Sequence, residues 1–291
     1  MEQERQPALE RYDLHTHTQA SDGMNKPADN VRLAKDKGLA GLAITDHDTV
    51  AGVAEAQEAG AELGLAVVQG IEISTRAGGK DIHVLGYFLN TEDERLLERL
   101  ARLRSVRDER NGLIIAKLQQ LNIPITLEEV KAGLARPLRP DESLGRPHIA
   151  DLLVRKGYAS DMRDAFDRYL AEGKPGYASL PRIAPGEAMV WIREAGGAPV
   201  LAHPGLYGDD DLVREIVARG KPAGIEVYHS DHGPEEERRY MAMAEQYGLI
   251  ATGGSDYHGV RQGVVFHGDL GSRTAPPGAV DRLRQAALAG R

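Results

Sequence analysis

The sequence predicts an α/β fold in which parallel strands carry helices on their outer side, as an open doubly wound sheet or a closed barrel, interrupted by a helical insert. Three features predict it. Short apolar runs alternate with amphipathic helical stretches up to about residue 90, and the same alternation resumes after Pro181. Between them the chain is charged, helical in period and almost free of strand signals. The expected organisation is therefore one discontinuous domain, 10–92 with 181–291, and an inserted helical cap, 93–180.

The elements follow in order. Residues 11–14 read as the first strand, and 27–37 as a helix that opens on Pro27 and closes at Gly38. A buried strand, 39–45 (LAGLAIT), precedes an Ala/Glu-rich helix, 49–63, that ends at Gly64. The strand 65–74 runs through Gly70-Ile71-Glu72, the turn residues Ala77-Gly78-Gly79-Lys80 reverse the chain, and 81–89 returns as a strand. In the insert Leu96, Leu97, Leu100, Leu103 and Val106 recur at helical spacing. Arg95, Arg99, Arg102 and Arg107 lie between them and read as a solvated helix face. Beyond Pro181 come a helix from Pro185, a strand 198–202, a helix 209–219, a strand 223–228, a helix 234–247 and a strand 249–252.

Composition narrows the chemistry. The 291 residues carry 36 Lys and Arg against 44 Asp and Glu, a net charge of −8, which disfavours binding along a long duplex nucleic acid by phosphate neutralisation. There is no cysteine, so disulfides, thiolate catalysis and Cys-ligated metals are excluded, and any metal must be held by His, Asp or Glu. No apolar run reaches the ~18 residues a membrane-spanning helix needs. The polar, acidic stretch 1–10 is unlike a secretory signal, and a cytoplasmic protein is expected.

Most of the ten histidines fall at strand ends. His15 and His17 follow the first strand, His47 the second, His203 follows Ala-Pro-Val-Leu-Ala, His229 follows Gly-Ile-Glu-Val-Tyr and His258 closes Ser-Asp-Tyr-His; His83 lies within the strand after Glu72. In parallel α/β sheets and barrels the C-terminal strand ends form one mouth where reactive groups gather. Residues i and i+2 of a strand share a face, so Asp13, His15 and His17 are expected to project together, and Asp256-x-His258 repeats the device. Paired imidazoles with Asp22, Glu72 and Asp256 as oxygen donors describe a multinuclear divalent metal site. His232 and His267 lack the placement and read as surface or turn residues.

These residues resemble a known family. Asp13-Leu14-His15-Thr16-His17 with Ser21-Asp22-Gly23, Thr45-Asp46-His47-Asp48, Gly70-Ile71-Glu72 with His83, Ala202-His203-Pro204 and Gly254-Ser255-Asp256-Tyr257-His258 are similar, in order, to the motifs of the polymerase and histidinol phosphatase (PHP) family. The resemblance spans Tyr12 to Gly259. It implies a distorted (β/α)7 barrel holding two or three divalent ions, manganese in the first place, with iron or zinc compatible with the same donors. Carried over position by position, the ligands are His15, His17, Asp22, His47, Glu72, His83, His203, Asp256 and His258, with Glu72 bridging two metals and Asp46 and Asp48 orienting imidazoles.

The insert resembles one branch more narrowly. Gly145-Arg146-Pro147-His148-Ile149-Ala150 and Gly224-Ile225-Glu226-Val227-Tyr228-His229 are similar to proteins acting on nucleoside 3′,5′-bisphosphates and on the 5′ ends of short RNAs. That implies Arg146, His148 and His229 as substrate-binding residues for the phosphate that is not cleaved, beneath a capping insert. The implied reaction is attack by a metal-bridged hydroxide on phosphorus, with His203 or His229 protonating the departing ribose oxygen. Three divalent ions would bring +6 against −3 from Asp22, Glu72 and Asp256, so an anionic substrate is compatible with an acidic chain. The alternatives are a histidinol-phosphate phosphatase, disfavoured by the long insert, a metal-dependent amidohydrolase, disfavoured by the absence of a strand-end lysine, and a non-catalytic PHP module, disfavoured by the full ligand set.

Overall fold

The computed structural model describes residues 10–290; of the N-terminal stretch 1–10 read above, 1–9 lie outside the described residues. Seven strands form one sheet in sequence order: β1 (Tyr12–Asp13), β2 (Gly41–Ile44), β3 (Ala66–Ala77), β4 (Lys80–Tyr87), β5 (Ala198–Leu201), β6 (Gly224–His229) and β7 (Ile250–Gly254). All neighbours pair in parallel except β4, which runs antiparallel to both β3 and β5, with Glu72 opposite Leu85 and Ser74 opposite His83. The chain nearly closes on itself. Leu14 N–H donates to the Gly253 carbonyl at 3.2 Å, His17 N–H donates to that of Tyr257 at 2.8 Å, and Thr16 bridges Tyr257. The expected barrel is thus the observed one, and β4 is its distortion.

The first strand is one residue shorter at each end than read, and the site residues His15 and His17 follow just beyond it. Gly254 permits this closure, since a Cβ there would run into the backbone and Cβ of His15. Helices α1 (Pro27–Asp36), α2 (Val53–Leu63), α7 (Pro185–Glu194), α8 (Asp210–Gly220), α9 (Pro234–Tyr247) and α10 (Ala279–Ala289) surround the sheet. Pro27, Pro185 and Pro234 open three of them, where a missing N–H costs nothing. The last helix and a small hairpin, β8 (Val260–Arg261) with β9 (Val264–Val265), were not read from the sequence.

Between β4 and β5 stand α3 (Glu94–Gln120), α4 (Leu127–Ala132), α5 (Arg146–Arg155) and α6 (Met162–Ala165), the last running into a π-helical turn, Phe166–Leu170. Ile114, Leu118, Ile149, Leu153, Met162 and Leu170 belong to a core of their own, separate from the clusters that pack the sheet. The N-terminal half of α3, by contrast, packs on the barrel through Leu96, Leu100 and Leu103. Arg107 departs from the expected solvated face: it is 7% exposed and pairs with the equally buried Asp48. Arg102 is exposed as expected, and Arg99 lies across Trp191. Among the described residues no helix is long and apolar enough to cross a membrane.

Candidate metal centre

Strand ends bring the predicted histidines and carboxylates to one place. All nine predicted ligand positions fall in groups whose donor atoms lie within 4.8 Å of one another, including His17 with Asp22, His47 and His258, and His47 with Glu72 and His83. Glu72, at the β3 strand, is the hub. Its Oε1 lies 2.8 Å from His83 Nδ1 and 3.1 Å from His203 Nε2, and its Oε2 lies 2.9 Å from His47 Nδ1 and 3.3 Å from His17 Nε2. Asp256 Oδ1 faces His17 and His15 Nε2 at 3.1 and 3.3 Å, and Asp22 Oδ1 faces His258 Nε2 at 3.3 Å.

The donor set fits divalent cations on two observations. His15 Nε2, both ring nitrogens of His17, His47 Nδ1, His203 Nδ1, Glu72 Oε2 and Asp256 Oδ1 are buried and, despite the close approaches among them, make no aligned hydrogen bond, an expense a fold rarely carries unless another group is to be bound. Charge gives the second. Burial disfavours a charged imidazole, yet the carboxylates of Asp256 and Glu72 push His17 up to about 10. Burial likewise opposes ionisation of Glu72, and the imidazoles of His47, His83 and His15 hold it well below the usual carboxylate range. The cluster is a buried anionic cage that recruits positive charge.

Several supporting residues differ from expectation. Asp13 does not project with His15 and His17; it accepts from Ser255 N–H and Oγ–H and from Gly271 N–H, tying the first strand to the last. Asp46 accepts from Thr18 and Ser21, and Asp48 from Ser74 N–H and Arg107, so these carboxylates shape loops and orient no imidazole. That task falls to Glu226, fully buried and not singled out from the sequence. It accepts from His15 Nδ1–H at 3.1 Å, directing Nε2 to the cage, and from His203 N–H at 2.8 Å. His203 needs such support because its φ of 21° lies where a side chain is strained. The signal for Glu226 was available, since Gly-Ile-Glu occurs at both 70–72 and 224–226.

Two histidines set aside as ordinary are not. His232 is buried, donating from Nδ1 to the Val227 carbonyl and accepting Gly205 N–H at Nε2, which pins the turn after His203. His267 lines the pocket, with Nδ1 at 2.6 Å from Asp231 and Nε2 at 3.6 Å from Asp256.

The pocket above the cage encloses about 250 Å³. Arg146 lines it, as expected, 3.2 Å from Asp81 and over the ring of Tyr177. Arg110 and Arg182 join it there unannounced. Burial and Arg107 beside it hold Arg110 well below the usual arginine range; its Nε is buried without a partner, and its side chain reaches only Asn111. A sequence signal existed here too: the stripe Leu96, Leu100, Leu103, Arg107, Arg110, Ile114 keeps one helical spacing, which sets both arginines on the inner face. His148 is not brought to this pocket. Its Nδ1 accepts Gly145 N–H at 3.0 Å, and it lines a separate cavity of about 60 Å³ beside Arg261 and Arg155. His229 is fully buried behind Asp256, Nε2 at 3.3 Å from its Oδ2, and does not line the pocket either.

Comparison with known proteins agrees with the barrel and with a metal-dependent hydrolase. The chain belongs to the PHP-domain family, whose pattern matches residues 13–134. It is a hydrolase of the metal-dependent phosphoesterase class. It is 34% identical over 258 residues to the 3′,5′-nucleoside bisphosphate phosphatase of Chromobacterium violaceum, covering 86% of this chain and 88% of that one. It is 37% identical over 253 residues to the 5′-3′ exoribonuclease Rnm of Escherichia coli, covering 85% of each. A crystal structure from Bifidobacterium adolescentis, assigned as a metal-dependent phosphoesterase, aligns with a TM-score of 0.87 at 32% identity over 98% of this chain and all of the other.

Proposed function

We propose that this chain cleaves the 3′-phosphoryl group from nucleotides that carry a free 5′-phosphate: nucleoside 3′,5′-bisphosphates and the 5′-terminal nucleotide of short RNAs. One observation carries the reading. The same pocket holds the Glu72 cage and three guanidinium groups, Arg110, Arg146 and Arg182, against which stands the single carboxylate of Asp81. Arg107 is excluded from this count because Asp48 neutralises it. The guanidinium groups outnumber the carboxylate, a surplus of positive charge that suits a phosphomonoester dianion. In both substrates the leaving group is the same 5′-phosphorylated nucleotide, so one pair of subsites serves both. The named activities of the relatives in C. violaceum and E. coli support this.

The nine predicted ligands would hold two or three divalent ions, manganese first, with iron or zinc suited to the same nitrogen and oxygen donors. Such ions supply acidified water and neutralise charge on the phosphoryl oxygens. The remaining tasks belong to the chain. Arg110, Arg146 and Arg182 bind and orient the 5′-phosphate. Of the two imidazoles expected to protonate the departing ribose oxygen, His203 lines the pocket and takes that role, while His229, which accepts Asp231 N–H at Nδ1, stands behind Asp256. The segment 93–180 acts as a cap, contributing Arg107, Arg110, Arg146, Pro147 and Phe166 to a site otherwise built by the barrel.

Phosphate release from adenosine 3′,5′-bisphosphate, histidinol phosphate and a 5′-phosphorylated oligoribonucleotide, each with manganese, tests the reading. The bisphosphate and the oligoribonucleotide are expected to be consumed. Histidinol phosphate is expected to lag, because one phosphate leaves the arginines unmatched in a desolvated pocket. Preference for histidinol phosphate, or no release from any, overturns it.

A further inference from the structure

The geometry points to an aromatic slot, formed by Phe166 and Phe266, that holds the nucleobase of the bound nucleotide by stacking. It rests on the proposed nucleotide substrate and adds the part of that substrate no other residue accounts for. The chain has only three phenylalanines, and two of them face each other at this one pocket. Their ring centroids are 6.1 Å apart and their planes 25° from parallel. Both are partly exposed, as is Phe88, but these two alone among the three line the pocket above the cage.

Each ring comes from a different part of the chain. Phe166 opens the π-helical turn Phe166–Leu170, a distortion that costs hydrogen-bond geometry and recurs at functional positions. Phe266 follows β9, edge-on to His267 at 4.5 Å, and His267 in turn lies 3.6 Å from Asp256. The slot therefore begins one imidazole away from the metal cage. Two stacking contacts need about 7 Å between the outer rings, so the pair opens to seat a planar base. Leu206 and Pro147 complete this apolar wall. None of these four side chains offers a hydrogen bond, so the slot reads aromatic area and not the edge of a particular base.

Titration of the manganese-loaded full chain with adenosine 5′-monophosphate and with methyl ribofuranoside 5-phosphate tests the slot, because both carry the 5′-phosphate and neither has a 3′-phosphoryl group to lose. The base is expected to tighten binding between about fivefold and a hundredfold. Phe266→Ala is expected to erase most of that difference while leaving the methyl riboside within about twofold, and Phe266→Trp to preserve it. Phe166→Leu, which keeps the apolar contact with the insert core, guards against a folding defect and is expected to behave like Phe266→Ala. Equal affinity of the two ligands for the parent chain, or parallel weakening of both in the variants, overturns the proposal and leaves the ring pair as a latch between insert and barrel. Adenosine 3′,5′-bisphosphate is assayed for phosphate release alongside. A failure there sinks the proposed reaction, whereas the titration reads the slot separately.

Discussion

Replacing Arg107 with alanine should destabilise the chain strongly, because it breaks a buried ion pair. Arg107 Nη2 lies 2.6 Å from Asp48 Oδ2 and 2.6 Å from Ser74 Oγ, and its Nε adds a third contact to Asp48 at 3.1 Å. Both charged partners are shut away from water, Asp48 at 1% exposure. Removing one partner of such a pair strands the other and costs about 3–5 kcal/mol. At roughly 2–4 °C per kcal/mol for a chain of this size, the melting point should fall by roughly 6–20 °C. The loss should also reach the site. Asp48 N–H donates to the Glu72 carbonyl at 2.9 Å, and Asp48 Oδ1 accepts from Ser74 N–H, so the loop holding His47 against β3 loosens with the pair. Thermal melts by circular dichroism in chelator and in manganese give both effects. The double variant Asp48→Asn with Arg107→Met should recover much of the loss, since asparagine tolerates the φ of 54° at position 48 and no charge is left stranded. If Arg107→Ala melts within about 2 °C of the parent, or if the double variant is no better than the single, the buried-pair reasoning is wrong.

Other outcomes follow from the same geometry. Glu226→Gln keeps the volume but no longer offers two acceptor oxygens to His15 Nδ1–H and His203 N–H; metal affinity, measured by competition with a chelating dye, should drop tenfold to a hundredfold, on the order usual for such supports. An unchanged affinity would show that His15 needs no such brace. Arg146→Ala and Arg110→Ala should each depress kcat/KM for adenosine 3′,5′-bisphosphate at least tenfold more than for a simple aryl phosphate, and equal losses on both would remove these residues from the substrate site. Burial alone would raise Asp81, but Arg182 and Arg146 lower it to about 2. Its depressed folded pKa contributes about 2 kcal/mol above pH ~4, and this fades as pH falls toward 2. The stability gap between metal-free parent and Asp81→Asn, read in urea, should therefore narrow across that interval; a gap independent of pH would refute the ion-pair account. Finally, chelation should lower the melting point, by an amount equivalent to about 2.7 kcal/mol when manganese had been present at a hundredfold its Kd.

Position by position, strain and support coincide. Asp48, His203, Asp256 and His267 all have positive φ, and each faces the cage or the loop behind it. Such backbone is held by neighbours that over-determine it: Arg107 for Asp48, Glu226 for His203, and the Asp13–Ser255 tie beside Asp256. Stability is spent at the strand ends and recovered from buried pairs a few residues away.

By itself the sequence determined the periodic features. Alternation of apolar runs with amphipathic stretches decided the parallel strand–helix order, the motif resemblance its closure as a barrel, and proline and glycine placed α1, α2 and α9 to within a few residues. His-x-His, Asp-x-His and Gly-Ile-Glu at successive strand ends were legible because a strand end is a local property and a ligand there needs no distant partner to be noticed. What tertiary structure alone decided concerns groups whose surroundings come from elsewhere in the chain. Arg107 reads as part of a solvated face; the helical stripe sets it and Arg110 inward, but only the fold supplies Asp48 as the partner of one and Arg146 and Arg182 as the neighbours of the other. His148, inside a familiar motif, is turned away by the cap of its own helix, while His267, outside any motif, is carried to Asp256 by an unread hairpin. Charge placed in a low-dielectric interior is ruled by what stands within about 4 Å of it, and that distance is set by the fold, not by spacing along the chain.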